Sequence, residues 1–343
     1  MKNLQKRTAA LAGLALLASL GLTACGSDDD GDGGGSGEAG GSSITMIPKN
    51  LGNPYFDAST AGAETAAEEF GGSVDEVGPD TATPDSQVSF INTAAQQGAS
   101  AIVVSANDPS AICDALEEAS AADVKVVTFD SDTEPDCRDI FVSQADAAGI
   151  AAKQVELIAA QIGDAGEVAI LSAAANATNQ NEWIKLMEAD LEANHPDIEL
   201  VDVVYGDDDD QKSFDQTAAL LSAHPDLKGI ISPTTVGIAA AARYLSTSDA
   251  KGKVALTGLG APSQMKAFIE DGTVTEFALW NPEDLGYLAA FTADALASGD
   301  IEGAEGDTFE AGKLGEYTVG ADGIVVLGEP FVFNAENIDQ FKF

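Results

Sequence analysis

An alternation limits most strongly what this chain can fold into. Short runs of β-branched and other apolar residues are separated, again and again, by longer Ala-rich stretches of helical character. "SITMI" precedes "YFDASTAGAETAAEEF", "SVDEVG" precedes "SQVSFINTAAQQG", "AIVVSAN" precedes "PSAICDALEEASAA", and "KVVTFDSD" closes the set. In the second half "EVAILSA", "ELVDVVYG", "KGIISPTT" and "KVALTGLG" take the strand role. Strands without polar alternation need cover on both faces. Helices between them supply it, so the pattern predicts an α/β fold with parallel sheets.

An internal repeat doubles the prediction. Residues 91–130 can be laid beside residues 217–260, and each stretch reads helix, strand, polar loop, Ala-rich helix, strand. The copies stand one domain apart along the chain. About 300 residues from Ile44 onward exceed what one core comfortably supports, so two doubly wound domains are expected.

What precedes Ile44 belongs to neither domain. Lys2, Lys6 and Arg7 form a basic start, and an apolar run from Ala9 to Leu22 leads to "LTAC". The run is too short to span a bilayer and has the layout of an export signal over residues 1–24. "L-T-A-C-G" resembles a bacterial lipobox, in which cleavage leaves Cys25 as a lipidated N-terminus. Residues 25–43 hold no large apolar side chain and read as a flexible acidic tether. The expected location is outside the cytoplasm, with the lipid on Cys25 as the link to the membrane.

Charge narrows the partners. The chain has 16 basic and 57 acidic residues, a formal charge of −41, and loss of the leader makes it more negative. Such a surface repels nucleic acid and anionic lipid. Besides Cys25 the chain has Cys113 and Cys137. In an exported protein a disulfide is the simplest reading, with two free thiols as the alternative; with so little histidine they do not make a zinc site.

In open α/β sheets, ligands lie beyond the carboxyl ends of the strands. The loops at those ends are Lys49–Phe56, Ser105–Pro109, Phe129–Asp132, Ala174–Asn181, Ser232–Val236 and Gly258–Pro262. They offer an ammonium (Lys49), carboxylates (Asp130, Asp132), amides (Asn50, Asn53, Asn107, Asn179, Gln180, Asn181) and hydroxyls (Thr234, Thr235). Phe56, Phe129 and Trp280 add flat apolar faces. Sugars need this mixture, because each ring hydroxyl both donates and accepts while the C–H faces of the ring pack on aromatics. Each residue also has a plainer role. Lys49 can be a solvated strand-end lysine, Asn53-Pro54 a turn, Asp130 or Asn179-Gln180 a cap, and Trp280 core.

Other motifs carry less. "GDDDDQ", Gly206 to Gln211, lacks the ligand spacing of a calcium loop and reads as a solvated turn. "GLG" at 258–260 lacks the third glycine of a dinucleotide fingerprint. His195 and His224 each stand in "HPD" at a helix–strand boundary. No metal or cofactor motif emerges, and no Ser–His–acid or Cys–His set lies at the strand ends. An enzyme would have to work with Asp130 and Asp132 as paired acids; residues two apart at a strand end rarely flank a glycosidic bond, which leaves a carbohydrate-active enzyme as the distant alternative.

With these residues assembled, the chain from Ile44 to Phe343 resembles the solute-binding proteins of bacterial sugar ABC importers, of the ribose-binding type. The likeness is strongest to a subgroup holding rhamnose-binding proteins and receptors for the signal autoinducer 2. It rests on "IPKNLGNPYF", "AIVVSANDPSAIC", "TFDSDTEPDCR", "NATNQNEWI", "IISPTTVGIAAAARYL", "GTVTEFALWNPEDLGYLA" and "FNAENIDQFKF". It implies the periplasmic-binding-protein type I fold, two parallel-sheet lobes joined by a three-segment hinge. The lobes are expected at 44–146 plus 282–325 and at 147–281 plus 326–343. It also supports pairing of Cys113 with Cys137, which both fall in matching segments.

The resemblance implies a monomer that captures a small sugar and passes it to permease subunits and their ATPase, with no catalysis. Carried over, the family's ligand set falls on Lys49, Asp130, Asn179, Gln180, Pro233 and Thr235, with Asn53, Phe56, Phe129, Thr234, Trp280 and Asn281 beside them. Autoinducer receptors have aspartate where Asn179 stands and alanine where Thr235 stands. Those departures point to rhamnose ahead of autoinducer 2.

Overall fold

The computed structural model describes residues 41–343. The expected export signal, Cys25 and nearly all of the expected acidic tether lie outside the described residues. The chain runs β1 (Ser43–Ile47), α1 (Pro54–Phe70), β2 (Ser73–Glu76), α2 (Val88–Gln97), β3 (Ala101–Val104), α3 (Cys113–Ser120), β4 (Lys125–Phe129) and β5 (Ile140–Ser143). It continues α4 (Ala147–Ile162), β6 (Gly166–Ser172), α5 (Thr178–Asn194), β7 (Ile198–Tyr205), α6 (Asp210–Ala223), β8 (Leu227–Ser232), α7 (Thr235–Thr247) and β9 (Ala255–Gly258). Last come α8 (Pro262–Glu270), β10 (Glu276–Leu279), α9 (Pro282–Ser298), β11 (Thr308–Glu310), β12 (Glu316–Thr318), β13 (Ile324–Val326) and β14 (Phe331–Asn334).

The strands form two parallel sheets. One has the order β13-β5-β4-β3-β1-β2 and the other β7-β6-β8-β9. The run β2-β1-β3-β4 in the first sheet has the same order as β7-β6-β8-β9 in the second, so the sequence repeat is a repeat of topology. A bridge from Leu259 to Ala278 brings β10 beside the second sheet, and β10 pairs antiparallel with β14. The chain therefore passes from one sheet to the other between β5 and α4, between β10 and α9, and between β13 and β14.

The apolar runs fold as they do because both faces of each sheet are covered. All four residues of β3 are buried, and so is every residue of β1 after Ser43. Helix ends follow their capping residues. Asn53 accepts from the Tyr55 amide ahead of α1, Asp146 from Gly149 ahead of α4, and Asn281 from Glu283 ahead of α9. Cys113, at the start of α3, is joined by a disulfide to Cys137 in the turn after β4, with 5.2 Å between their Cα atoms. The two cysteines are 24 residues apart in sequence, and closing a loop of that length stabilises the fold by about 3.5 kcal/mol.

Helices α1 and α9 cover one face of the first sheet and meet at reciprocal glycines. A Cβ on Gly62 would stand 1.8 Å from the Glu283 carbonyl oxygen, and one on Gly286 would stand 1.8 Å from that of Ser59. Intrinsic propensity favours Ala over Gly in a helix by about 1 kcal/mol. Here backbone blocks the added methyl, and overpacking costs about 1–3 kcal/mol. Gly62→Ala and Gly286→Ala are thus each expected to lower the melting temperature; a rise in either would show that the helices separate freely.

Candidate functional site

The site is built where the strands of both sheets end. Lys49 follows β1, Asp130 follows β4, and Asn179 and Gln180 open α5 after β6. Pro233, Thr234 and Thr235 follow β8, Leu259 follows β9, and Leu279 and Trp280 end the β10 segment. With Asn53, Tyr55, Phe56, Trp183 and Asp208 they line one cleft, whose free cavity volume is about 40 Å³.

Asp130 is the best-supported carboxylate in the cleft. Its φ of 60° is in the left-handed region, which aspartate tolerates better than most residues. Tyr55 donates to its Oδ1 at 3.0 Å and Ser105 to its Oδ2 at 2.8 Å, with the Lys49 ammonium 3.6 Å away. Tyr55 in turn accepts from the Trp280 indole at 2.8 Å. Burial pushes the Tyr55 phenol well above its usual range, and the charge of Asp130 adds to the rise. Tyr55 therefore stays a neutral donor.

Lys49 is held from below. Asn107 donates to its carbonyl oxygen at 2.9 Å, and Gln87 ties the loop together by donating to Pro48 at 3.0 Å and Ser105 at 2.7 Å. From there the Lys49 ammonium donates across the cleft to Asn179 Oδ1 at 3.2 Å, while Asn179 Nδ2 donates back to the Asp130 carbonyl at 3.2 Å. Asn176 adds a crossing bond to the Asn107 carbonyl at 2.7 Å. Gln180 accepts from Ser172 and from the Ala173 amide through Oε1, at 2.6 and 2.8 Å. That leaves its amide nitrogen as the end available to a ligand.

Most of the strand-end residues singled out in the sequence line this cleft, while Asn50, Asn107, Phe129, Asp132, Asn181 and Asn281 do not. Phe129 is fully buried and packs edge-on against Phe56 with ring centroids 6.1 Å apart, outside the cleft lining. Asn281 uses both ends of its amide at the start of α9, accepting from Glu283 at 3.0 Å and donating to Asp284 at 2.8 Å. Asp132 is clasped by Arg138 through two bonds of 2.8 and 2.9 Å, so it forms no acid pair with Asp130 in the cleft. Tyr55, Trp183, Asp208, Leu259 and Leu279 were missed. Trp183 had a signal, since it lies four residues after Asn179 on the same helix face.

The acidic run is the clearest correction to the sequence reading. "GDDDDQ" is not wholly a solvated turn. Asp207 pairs with Lys212, Asp209 caps α6 by accepting from the Lys212 amide at 2.7 Å, and Asp210 meets Arg243 at 2.5 Å. Asp208 instead lines the cleft and accepts from the Thr234 hydroxyl at 2.5 Å. Burial pushes its carboxyl above the ordinary aspartate range. Thr234 and Lys49 pull the other way, and Asp130 and Asp207 add to the rise.

Two parallel-sheet domains with a polar and aromatic cleft at their facing strand ends define a two-lobed binding protein. The chain belongs to the periplasmic binding protein family, whose domain model matches residues 44–301. Its relatives are solute-binding proteins of sugar ABC transporters. It is 55% identical to a sugar ABC transporter protein of Actinomyces odontolyticus, covering 88% of this chain and 98% of that one, with a TM-score of 0.72. It is 39% identical to an ABC transporter solute-binding protein of Clostridium phytofermentas with bound L-rhamnose, covering 88% and 98%, with a TM-score of 0.85. It is 29% identical to LsrB of Clostridium saccharobutylicum in complex with AI-2, covering 88% and 99%, with a TM-score of 0.83. The family is extracytoplasmic. Among the described residues no helix is long and apolar enough to cross a membrane.

The raised Asp208 pKa sets a sign for stability. The folded state holds the proton more tightly than the unfolded chain, so stability falls as pH climbs from the ordinary aspartate value through the raised one. Asp208→Asn keeps an oxygen for Thr234 and removes the charge. Its melting temperature relative to wild type is expected to increase as pH goes from about 4 to about 7. A pH-independent difference in calorimetry of the ligand-free proteins would show no such shift.

Proposed function

We propose that this protein is the ligand-capturing component of a sugar importer and that its ligand is L-rhamnose. What carries the reading is the pairing of a donor–acceptor set (Lys49, Asp130, Asn179, Gln180) with an apolar wall of Tyr55, Phe56, Trp183, Trp280, Leu259 and Leu279 around one cleft. Rhamnose has hydroxyls for the first and a methyl group for the second. The 39% identity to a protein with bound L-rhamnose supports it.

The three crossing segments act as a hinge. A sugar held by Lys49 and Asp130 on one lobe recruits Asn179, Gln180 and Pro233–Thr235 from the other, and the closed form is selected because both lobes touch the ligand. The closed monomer presents its load to membrane permease subunits driven by an ATPase. The lipid on Cys25 keeps it near them.

Autoinducer 2 is the second reading, favoured by the likeness to LsrB. Asn179 weighs against it. Its Nδ2 donates to the Asp130 carbonyl, and the aspartate that the autoinducer receptors carry there has no proton to give.

Titration calorimetry with L-rhamnose, L-mannose and autoinducer 2 separates the readings. L-mannose adds a hydroxyl at the methyl position and buries it without a partner, costing about 1–3 kcal/mol or roughly five- to 150-fold in affinity. L-rhamnose is expected to bind tightest, and Asn179→Asp to weaken it. Tighter binding of autoinducer 2, strengthened further by Asn179→Asp, would replace rhamnose with the signal.

A further inference from the structure

We propose that Asp208 is a further specificity-determining residue, a second carboxyl that takes hydroxyl hydrogen bonds from the ligand on the second lobe as Asp130 does on the first. The inference rests on the reading that the cleft takes a sugar.

The four aspartates of the run are sorted by what they touch. Asp207, Asp209 and Asp210 are exposed and engaged at the surface, by Lys212, by the start of α6 and by Arg243. Asp208 alone of the four lines the inner cleft with Lys49 and Asp130. The backbone is bent to put it there. Asp207 and Asp208 have φ of 53° and 49°, two successive left-handed residues, neither of them glycine. Bonds from Gly206 to the Ser172 carbonyl at 2.9 Å and from Asp207 to the Ala173 carbonyl at 2.7 Å hold the turn. Strained backbone of this kind persists where surrounding structure enforces it, and it gathers at ligand sites. Asp130, the other cleft carboxylate, sits at a left-handed residue too.

Acceptor capacity gives the second argument. Asp130 has Tyr55 on Oδ1 and Ser105 on Oδ2, with Lys49 beside it. Asp208 has the Thr234 hydroxyl on Oδ1, and among the described residues no donor reaches its Oδ2. It is therefore the cleft carboxyl with more room for a ligand hydroxyl. Asp208 and Asn53 also line an outer groove shared with Asn50, Gly52 and Val236, so Asp208 stands where the cleft meets that groove. The hydroxyl it reads is the one facing the mouth.

Binding of L-rhamnose and of its single-position deoxy and O-methyl derivatives to wild type, Asp208→Ala and Asp208→Asn tests this. Wild type should lose about ten- to a hundredfold in affinity for the derivative altered at one position, while Asp208→Ala loses less than about twofold there. For L-rhamnose itself Asp208→Ala should bind at least tenfold more weakly, with the ligand-free melting temperature of Asp208→Asn at or above that of wild type. A lowered melting temperature for Asp208→Asn, or L-rhamnose affinity of Asp208→Ala within twofold of wild type, overturns the inference alone. A wild type that binds none of the panel defeats the sugar reading, and this inference with it.

Discussion

The Lys49 ammonium is the point on which the site depends. It lies 3.6 Å from the Asp130 carboxylate on its own lobe and donates to the Asn179 amide of the other at 3.2 Å. Lys49 is 5% exposed and Asp130 is 5% exposed, so both charges have left most of their water behind. A buried charge is tolerated when it is paired and hydrogen-bonded. The ammonium is satisfied from both lobes at once, which couples the cost of its burial to the distance between them.

Much of the surrounding structure exists to hold that pair. Gln87 and Asn107 bind the carbonyls of the β1 and β3 loops, and Ser105, Tyr55 and Trp280 orient the Asp130 carboxyl. The Trp280–Tyr55–Asp130 relay starts at the end of the segment where the chain returns from the second sheet to the first. Polar networks of this kind are favourable when each member has its partner, and costly when one is lost.

The architecture was legible because period and length are local properties. Strands β1, β3, β4 and β6 to β9 are largely apolar runs bounded by turns, and the repeat of residues 91–130 at 217–260 is the matching order of the two sheets. Strands β5 and β13 were not read. Each is short, with polar or half-buried positions, and they pair with each other across some 180 residues of sequence. Within the site, the rule that ligands lie beyond strand ends located most of the residues. It failed at Asp208 because an acidic run has the composition of a solvated turn, and only the folded turn, with Asp207 and Asp208 both left-handed, puts one of the four aspartates in the cleft. It overreached at Phe129, the last residue of β4, because adjacent strand residues face opposite sides of the sheet. At Asn281 it overlooked that Asn-Pro ahead of an apolar helix is sufficiently explained as a cap.

The central claim is that ligand-driven closure runs through the ammonium shared by the two lobes. Small-angle X-ray scattering of wild type and Lys49→Met, each with and without L-rhamnose at one high concentration, tests it most directly. The account predicts that wild type contracts on adding the sugar while Lys49→Met keeps its ligand-free radius of gyration. Equal contraction of the two proteins would contradict it.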